Sequence, residues 1–595
     1  MIIRNFKIEN FRGIYRADLN FTKHNLFVGP NSVGKSTILE SLDLLLGPER
    51  LRSPDAINEH DFYRSKYLDA EKKPIEIKIE CVFIALTKRE KTTFFSHLEF
   101  WNKNENRLLS SSEVSPEETD EEAIEPALRI AFRGRYDPEE DEFIATTYFS
   151  HPPVESHEEP ELVTSKHKRE FGFLFLRSLR TGARALTLER GSLLDIVLQL
   201  KEVRPGTWER VLDVLRKIGP TLDQDADFRS ILNSIENQVN HYIPIKRAGK
   251  ASEFQVTKLT RESLRKTASL FVASRTNDTL VPFQNIGHGA ANVFVLALLT
   301  FIADLKAEND HNVIFAMEEP EIALPPYTQR KIVEQLKKKS NQCLFTSHSP
   351  YVAESFIPND LFVIQRDGTD TLRASPIPEN STIKQKTLHR EFRIRFAEGL
   401  LSKGILAVEG PSDQSALVIA SRKMSEADPS YSSPDVLGIA VIEVGGDGSL
   451  PKFGSFFKSL GIKSFAFYDN QKDANHKQEI QSAFDIAKDH QCAGIEELIC
   501  GELPLGVINQ FLTECQSWSD YPQHISIPQA SSEEEKRKLV TEILKARKGA
   551  GYTARLLDLV PPENLPTQIC EFLKEIETFV NNSESAAPDD SPLEL

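Results

Sequence analysis

Apolar and polar positions alternate in blocks that read as separate elements. The opening MIIRNFKIENFRG reads as a first strand, and the run Asn25 to Val28 (NLFV) as a short buried one. A helical pattern, ILESLDLLL, follows from Ile38 to Leu46. Between Ile75 and Phe149 the segments IEIKIECVFIAL, ALRIAF and EFIATTYF are strand-like, and FGFLFLRSLR from Phe171 continues the pattern. From about Ser192 to Tyr242 the period changes to three and four, in LLDIVLQL and RVLDVLRKI, which predicts helices. No heptad pattern persists over several repeats, so long coiled-coil arms are not expected, and no internal repeat is visible. A DG turn lies between two extended runs from Arg366 (RDGTDTLRASPIP), and a domain boundary is placed after it, around Leu388 to Leu401.

Composition narrows this picture. At 595 residues the chain is too long for one core, so two or three domains are expected. Hydrophobic content of 40% and charged content of 27% are ordinary for a soluble protein, and no unbroken apolar run reaches the length of a membrane span. The N-terminus has no apolar core or cleavage site of a signal peptide. Cys81, Cys343, Cys492, Cys500, Cys515 and Cys570 are scattered without a C-x-x-C pair, which fits a reducing cytoplasm and no membrane. The net charge of -16 repels DNA as a whole, so nucleic-acid binding would need local basic patches or metal ions. Much of the acidity falls in three segments rich in Ser, Pro and acid: Ser110 to Glu125, Pro152 to Glu161, and an acidic tail over about 578–595.

The segment from Gly29 to Thr37, GPNSVGKST, matches G-x-x-x-x-G-K-[ST] and lies between an apolar strand and a helix, as a phosphate-binding loop requires. Backbone N–H groups around Asn31 and Gly34 would cradle phosphates, Lys35 would reach the β- and γ-phosphates of ATP, and Ser36, beside Thr37, would ligate Mg²⁺. A second strand, Val313 to Met317, ends in adjacent acids: Glu318 would hold the Mg²⁺ shell and Glu319 would polarise the attacking water. A third, from Gln342, delivers His348 at its tip.

These motifs, with the opening IENFRGI, resemble the SMC-like branch of ABC ATPases. His348 resembles the histidine that senses γ-phosphate there. Ile286-Gly-His-Gly-Ala290 resembles the ABC signature, with Gly287 where serine is usual and Ala290 where Gln or Glu is usual. The resemblance implies that Gly287 and Gly289 contact nucleotide held by the opposite subunit of a head-to-head homodimer, and that the altered loop bears on the rate of hydrolysis while leaving binding intact.

After the boundary an α/β unit restarts. Strand Gly404 to Val408 runs into Glu409-Gly-Pro-Ser-Asp413 and a helix; Gly438 to Val444 enters the turn Gly445-Gly-Asp-Gly448; and Ser464 to Tyr468 ends at Asp469. The C-terminal ends of parallel strands are where such sheets place ligands. This pattern resembles a Toprim domain, and with the ATPase module the chain resembles the OLD (overcoming lysogenization defect) family of nucleases. Toprim strands usually end Asp-x-Asp, whereas here Gln471 occupies the second position and Asp473 lies two residues beyond. The resemblance places a further acid at Glu496, with Glu497 a competitor, and a lysine at Lys548, with Lys545 a competitor.

Two Mg²⁺ or Mn²⁺ ions about 4 Å apart need several carboxylates, and Glu409, Asp413, Asp469 and Glu496 are the candidates. Lys548 would neutralise charge on phosphate. Of three basic clusters, only KRKLVTEILKARKGAGYTAR (Lys536 to Arg555) lies near the acids in sequence and would form a phosphate track; the others are Lys246 to Lys266 and Arg390, Arg393 and Arg395.

The expected architecture is an α/β chain: an ABC-type P-loop ATPase over 1–395 with an inserted helical dimerisation region near 165–275, then a Toprim domain over 400–575. The function implied is a nucleotide-gated, metal-dependent DNA endonuclease or nickase in bacterial anti-phage defence, with a helicase-like protein or retron nucleic acid as companion. The rival is an ATP-switched DNA-tethering or repair clamp with an inactive Toprim, favoured by Gln471. A topoisomerase or primase would need a nucleophilic-tyrosine domain or a polymerase context, and neither is visible in the sequence.

Overall fold

The computed structural model describes residues 1–30, 33–48, 50, 56–110, 113, 123–153, 159–177, 192–201, 209–215, 226–240, 260–267, 270–273, 279–308, 311–367, 369–377, 393–527 and 532–585. The chain divides into two units, one of Met1–Arg4, Leu39–Asn58 and Glu80–Phe345, the other of Asn5–Ile38, Glu59–Ile79 and Thr346–Leu595. The strands are β1 (Ile2–Phe11), β2 (Ile14–Asn20), β3 (His24–Val28), β4 (Ile77–Ile84), β5 (Leu98–Asn102), β6 (Arg107–Leu108), β7 (Ile124–Asp137), β8 (Glu142–Phe149), β9 (Phe173–Leu176), β10 (Phe271–Val272), β11 (Val281–Pro282), β12 (Ile314–Glu318), β13 (Gln342–Thr346), β14 (Leu361–Arg366), β15 (Thr371–Pro376), β16 (Gly404–Val408), β17 (Ile439–Glu443), β18 (Lys463–Tyr468) and β19 (Ile486–Asp489).

In the first unit, the strand-like stretch from Ile75 to Phe149 forms the antiparallel series β6-β5-β7, which continues to β4, with β8 also on β7. A second series, β13-β12-β9, carries the acidic strand end, and β12 runs parallel to β9. The strand-like pattern from Phe171 is β9, an apolar FLFL strand beside β12, so the inserted region placed near 165–275 opens on a strand before its helices. Gly172 before it has φ +71°, and a Cβ there would lie 1.9 Å from the Asn312 carbonyl oxygen, so the chain enters β9 only through glycine. Within the described residues the helices Leu193–Leu200, Ala226–Asn240 and Arg261–Thr267 follow, as the three-and-four spacing predicts.

The helix His288–Glu308 is long and apolar enough to cross a membrane by length and composition. This differs from the sequence reading, because Asp304 and Lys306 interrupt the run without removing its average hydrophobicity. Val295, Leu299, Ile302 and Ala303 are fully buried on one of its faces, which is how a core helix of an α/β domain reads.

In the second unit, β1 pairs antiparallel with β2, β2 parallel with β15, β15 antiparallel with β14, and β14 parallel with β3. Leu26, Phe27 and Val28 of β3 are fully buried, so the strand is fixed and the loop after it projects from its C-terminal end. The end of β14 meets two other parts of the unit. Arg366 donates to the Val33 carbonyl of the phosphate loop at 3.3 Å, and its neighbour Gln365 donates to the Leu460 carbonyl in the turn before β18. Gly461, in that turn, has φ +70°, and a Cβ there would lie 2.8 Å from the Gln365 amide.

The remainder of this unit is a four-stranded, all-parallel sheet in the order β17-β16-β18-β19. All five residues of β16 are buried, as expected for a parallel strand covered on both faces. Leu406, Val408, Phe465 and Phe467 share a core with helices Pro411–Ala427, Ile495–Glu502, Glu533–Ala546 and Thr567–Ser585, and Phe467 stacks on Phe572 at 5.1 Å. Removing such a buried ring costs about 3–5 kcal/mol.

Candidate active site

The phosphate loop follows β3 and ends in the helix Lys35–Leu46. Gly29 has φ +145° and its Cβ position lies 2.7 Å from the Ile364 carbonyl oxygen; Gly34 has φ +114° and its Cβ position lies 2.9 Å from Leu372. Both places admit only glycine, so the motif's glycines are required by backbone and space. Lys35 is buried, and its ammonium donates to the carbonyls of Gly29 and Pro30, each at 2.8 Å, which closes the loop over itself. Ser36 is exposed and Thr37 half-buried in the first turn, where N–H groups point outward. Asn31 lies outside the described residues.

In the other unit, β12 ends at Glu318, and Glu319 follows with φ 46°, a left-handed backbone that a non-glycine residue adopts at a cost of about 1–3 kcal/mol. Strain of this kind concentrates at working sites. Gly287 is exposed, and Gly289 opens the helix His288–Glu308 with its Cβ position 3.0 Å from the Ala323 carbonyl oxygen. His348, which belongs to the unit of the phosphate loop, is exposed, two residues past the end of β13.

The acidic site lies where the parallel sheet changes direction. Strand order places β16 between β17 and β18 and β18 between β16 and β19, so the connections after β16 and after β18 leave toward opposite sides and open a crevice at the C-terminal ends of β16 and β18. Glu409 follows β16 and Asp469 follows β18, and the Asp469 N–H donates to Glu409 Oε1 at 2.9 Å. Gly446 has φ +122° and donates its N–H to the Glu409 carbonyl at 2.9 Å, pinning the glycine turn beside the same residue.

Asp413 is buried in the first turn of the helix Pro411–Ala427. Burial, then the charge of Asp469, pushes the Asp413 carboxyl up to about 7, with Glu409 and Glu496 adding to it. Burial and Asp469 likewise push Glu409 up to about 7, with a smaller contribution from Asp447. Glu496 is wholly buried, and neither of its oxygens accepts a hydrogen bond among the described residues. The Lys548 ammonium lies 3.5 Å from its Oε1. Gly494 leaves room for this group: a Cβ there would sit 3.0 Å from Glu496 Oε2 and 3.9 Å from Asp469 Oδ2.

The sequence-predicted acids Glu409, Asp413, Asp469 and Glu496 are thus brought together, and Lys548 reaches them. Glu497 is exposed and its carboxylate accepts from the Ala493 N–H at 3.1 Å, a local turn contact. Asp473 caps the helix Ala474–Ala483 by accepting from the Asn475 N–H at 2.9 Å, and Gln471 donates to the Asp469 carbonyl at 3.1 Å. Neither restores the second aspartate.

The predicted phosphate track is narrower than its sequence suggests. Arg537 donates to the carbonyls of Cys500, Gly501 and Leu503 at a helix end, Lys536 donates to Asn509, Lys538 pairs with Glu534, and Arg555 lies over the Trp518 ring. Lys536, Arg537 and Arg555 are thus held by other elements of the fold, whereas Lys538 is paired only with Glu534 on the exposed face of its own helix. The side chains of Arg390, Arg393 and Arg395, and most of the Lys246 to Lys266 cluster, lie outside the described residues.

Sequence reading missed His490. It is wholly buried, one residue past β19, and its Nε2 lies 2.8 Å from Asp469 Oδ1. Ligand atoms of Asp413, Asp469 and His490 all lie within 4.8 Å of one another.

The donor set suits a hard divalent cation. Several carboxylates converge, two of them rendered hard to ionise by burial and by the charge of Asp469, and the buried Glu496 has oxygens without hydrogen-bond donors among the described residues, an arrangement that a cation relieves.

A phosphate-binding loop on one sheet and a convergent acidic crevice on a second define a P-loop ATPase joined to a Toprim domain. A family model described as an AAA ATPase domain matches residues 1–170 and 199–353, together more than half of the chain, and the model of the TOPRIM domain of overcoming lysogenization defect-like proteins matches 400–470. The OLD nuclease of Thermus scotoductus is 24% identical over 531 residues, spanning 84% of this chain and 89% of that protein. Endonuclease GajA of Bacillus cereus is 22% identical over 536 residues, spanning 83% of this chain and 79% of its own. Among solved structures, the C-terminal region of the Burkholderia pseudomallei OLD protein aligns over 30% of this chain and 98% of its own, at 15% identity and a TM-score of 0.23. The chain belongs to the OLD family, with an AAA-type ATPase domain followed by an OLD-like Toprim domain.

Proposed function

We propose that this chain is a metal-dependent DNA endonuclease or nickase, gated by ATP and acting in bacterial anti-phage defence. The observation that carries the reading is the convergence of Glu409, Asp413, Asp469 and Glu496 at one crevice with Lys548 beside them. The relatives named as nucleases support it. Glu409, Asp413, Asp469 and Glu496 would hold Mg²⁺ or Mn²⁺. Bound there, divalent ions supply the charge that activates water and stabilises the leaving oxygen of a phosphodiester. Lys548 presents a cation to the phosphate.

At the ATPase end, Lys35 and the loop N–H groups would bind ATP, Ser36 and Glu318 would hold its Mg²⁺, and Glu319 would orient water, with His348 as γ-phosphate sensor. Gly287 and Gly289 would complete the site across a homodimer in the cytoplasm. Gating is supported by β14, whose adjacent residues Arg366 and Gln365 touch the phosphate loop and the turn leading into β18.

The clamp reading, with an inactive Toprim, draws on the loss of the second aspartate, since Asp473 serves as a helix cap. One assay separates the two: nicking of supercoiled plasmid with Mg²⁺ or Mn²⁺, with and without ATP. The nuclease reading expects metal-dependent nicking that Glu409→Ala abolishes while ATP hydrolysis persists. Equal nicking by the Glu409→Ala variant, or none by the wild type under any metal and nucleotide condition, sinks it and promotes the clamp.

A further inference from the structure

The pair formed by His490 and Asp469 lies at the ends of adjacent parallel strands. In the β18–β19 register Tyr468 faces Asp489, so Asp469 and His490 are the next pair beyond the ladder. The ladder extends to hold them: the His490 N–H donates to the Tyr468 carbonyl at 3.2 Å, and the Asn470 N–H to the Cys492 carbonyl at 2.9 Å. His490 is fully enclosed and its ring packs against Phe467 at 5.2 Å, so its position is set by core and backbone together.

The two ring nitrogens have different partners. Nδ1 faces the backbone N–H of Cys492 at 3.4 Å, and a backbone N–H only donates. Nδ1 therefore accepts, and in the neutral ring the proton resides on Nε2. Nε2–H then points at Asp469 Oδ1, 2.8 Å away. A nitrogen carrying that proton has no lone pair to give a cation, although it lies within reach of one held by Asp413 and Asp469.

We propose that His490 is a positioning residue: through Nε2–H it fixes one oxygen of Asp469, leaving Oδ2 as the atom offered to a divalent ion, and it does not itself ligate. Oδ2 is the oxygen that faces the space kept open by Gly494. Hydrogen bonds of this kind orient ligating carboxylates, and losing one lowers metal affinity by about 10–100-fold.

The inference rests on the acidic crevice being a metal site, and the test separates the two. Mn²⁺ binding to the full-length, nucleotide-free protein is measured by calorimetry for the wild type, Asp469→Ala, His490→Ala, His490→Gln and His490→Asn, and the Mn²⁺-loaded wild type is examined by pulsed electron paramagnetic resonance. Tight wild-type binding lost in Asp469→Ala establishes the metal site. Weakening by about 10–100-fold in His490→Ala, recovery in His490→Gln, whose amide reaches the place of Nε2, and no coupling from a directly bound nitrogen are expected. Where His490→Ala does not fold, recovery by Gln but not by the shorter Asn decides the matter. A directly bound nitrogen, wild-type affinity in His490→Ala, or equal weakness of Gln and Asn overturns the positioning role while leaving the metal site standing. Absence of wild-type Mn²⁺ binding overturns both.

Discussion

Lys548 is the cation that meets the wholly buried Glu496, its Nζ 3.5 Å from Oε1, although Lys545 also approaches the crevice through its stem near Gly494. Lys548 is itself largely exposed, so it reaches from the acids to solvent, where a phosphate would arrive. Lys548→Ala is expected to lower the rate of plasmid cleavage by about 10²–10³-fold, the usual loss when one stabilising charge is removed from a transition state. Lys545→Ala should cost far less. Single-turnover cleavage rates compare them, and equal losses would remove the distinction.

Asp473 and Asp469 are four residues apart and do different work. Asp469 joins Glu409 and His490, whereas Asp473 is exposed and accepts a helix N–H. Asp473→Ala should therefore leave cleavage in both Mg²⁺ and Mn²⁺ near wild type and cost about 1 kcal/mol of stability from the lost cap. Asp469→Ala should abolish cleavage. Loss of Mg²⁺-supported activity in Asp473→Ala would show that this residue moves into the site.

Glu409 and Asp413 are both pushed up to about 7 by burial and by Asp469. An acid whose folded pKa exceeds its unfolded value near about 4 keeps its proton longer in the folded chain. The native state then binds more protons than the unfolded one between about pH 4 and 7, so this contribution falls as pH rises through that window and stays low above it. In EDTA, wild-type Tm should drop from pH 6 to pH 8 more than that of a Glu409→Gln, Asp413→Asn variant. Added Mn²⁺ should raise wild-type Tm more at pH 8 than at pH 6, because the ion competes with those protons.

Lys35 closes the phosphate loop on its own carbonyls at 2.8 Å, and ATP would have to take over that ammonium. Lys35→Ala should remove ATP binding measured by calorimetry, while Glu319→Gln should keep binding and slow hydrolysis by several orders of magnitude. ATP affinity unchanged in Lys35→Ala would refute the site.

The Gln365 contact with Leu460 offers a test of gating that spares both reaction centres. Gln365→Ala should bind and hydrolyse ATP normally and cleave DNA without nucleotide at the wild-type rate, but lose most of the change in cleavage that ATP produces. A nucleotide response equal to wild type would remove β14 from the coupling.

Much of this was legible in the sequence for physical reasons. The glycines of the phosphate loop announce backbone that no other residue adopts, and Glu409 and Asp469 are polar residues ending apolar runs, the mark of a parallel strand meeting its crevice. Glu496 could not be separated from Glu497, since neighbours on one helix differ only in which way the helix faces. The basic run from Lys536 read as a track because sequence shows charge but not the carbonyls that Arg537 occupies. His490 stayed hidden because β19 is four half-buried residues, too short for a periodic signal, and its partner lies on another strand.

The register between β18 and β19 also sets how the site tolerates change. Because side chains alternate faces along a strand, adding or deleting one residue within Ile486–Asp489 would turn His490 away from Asp469 and carry the Cys492 carbonyl past its Asn470 partner. Substitution at the half-buried positions of β19 leaves that ladder in place. The crevice is consequently less sensitive to what the neighbouring strand is made of than to how long it is. Length variation within the Toprim domain belongs instead beyond the strand ends, away from the rungs that align the acids.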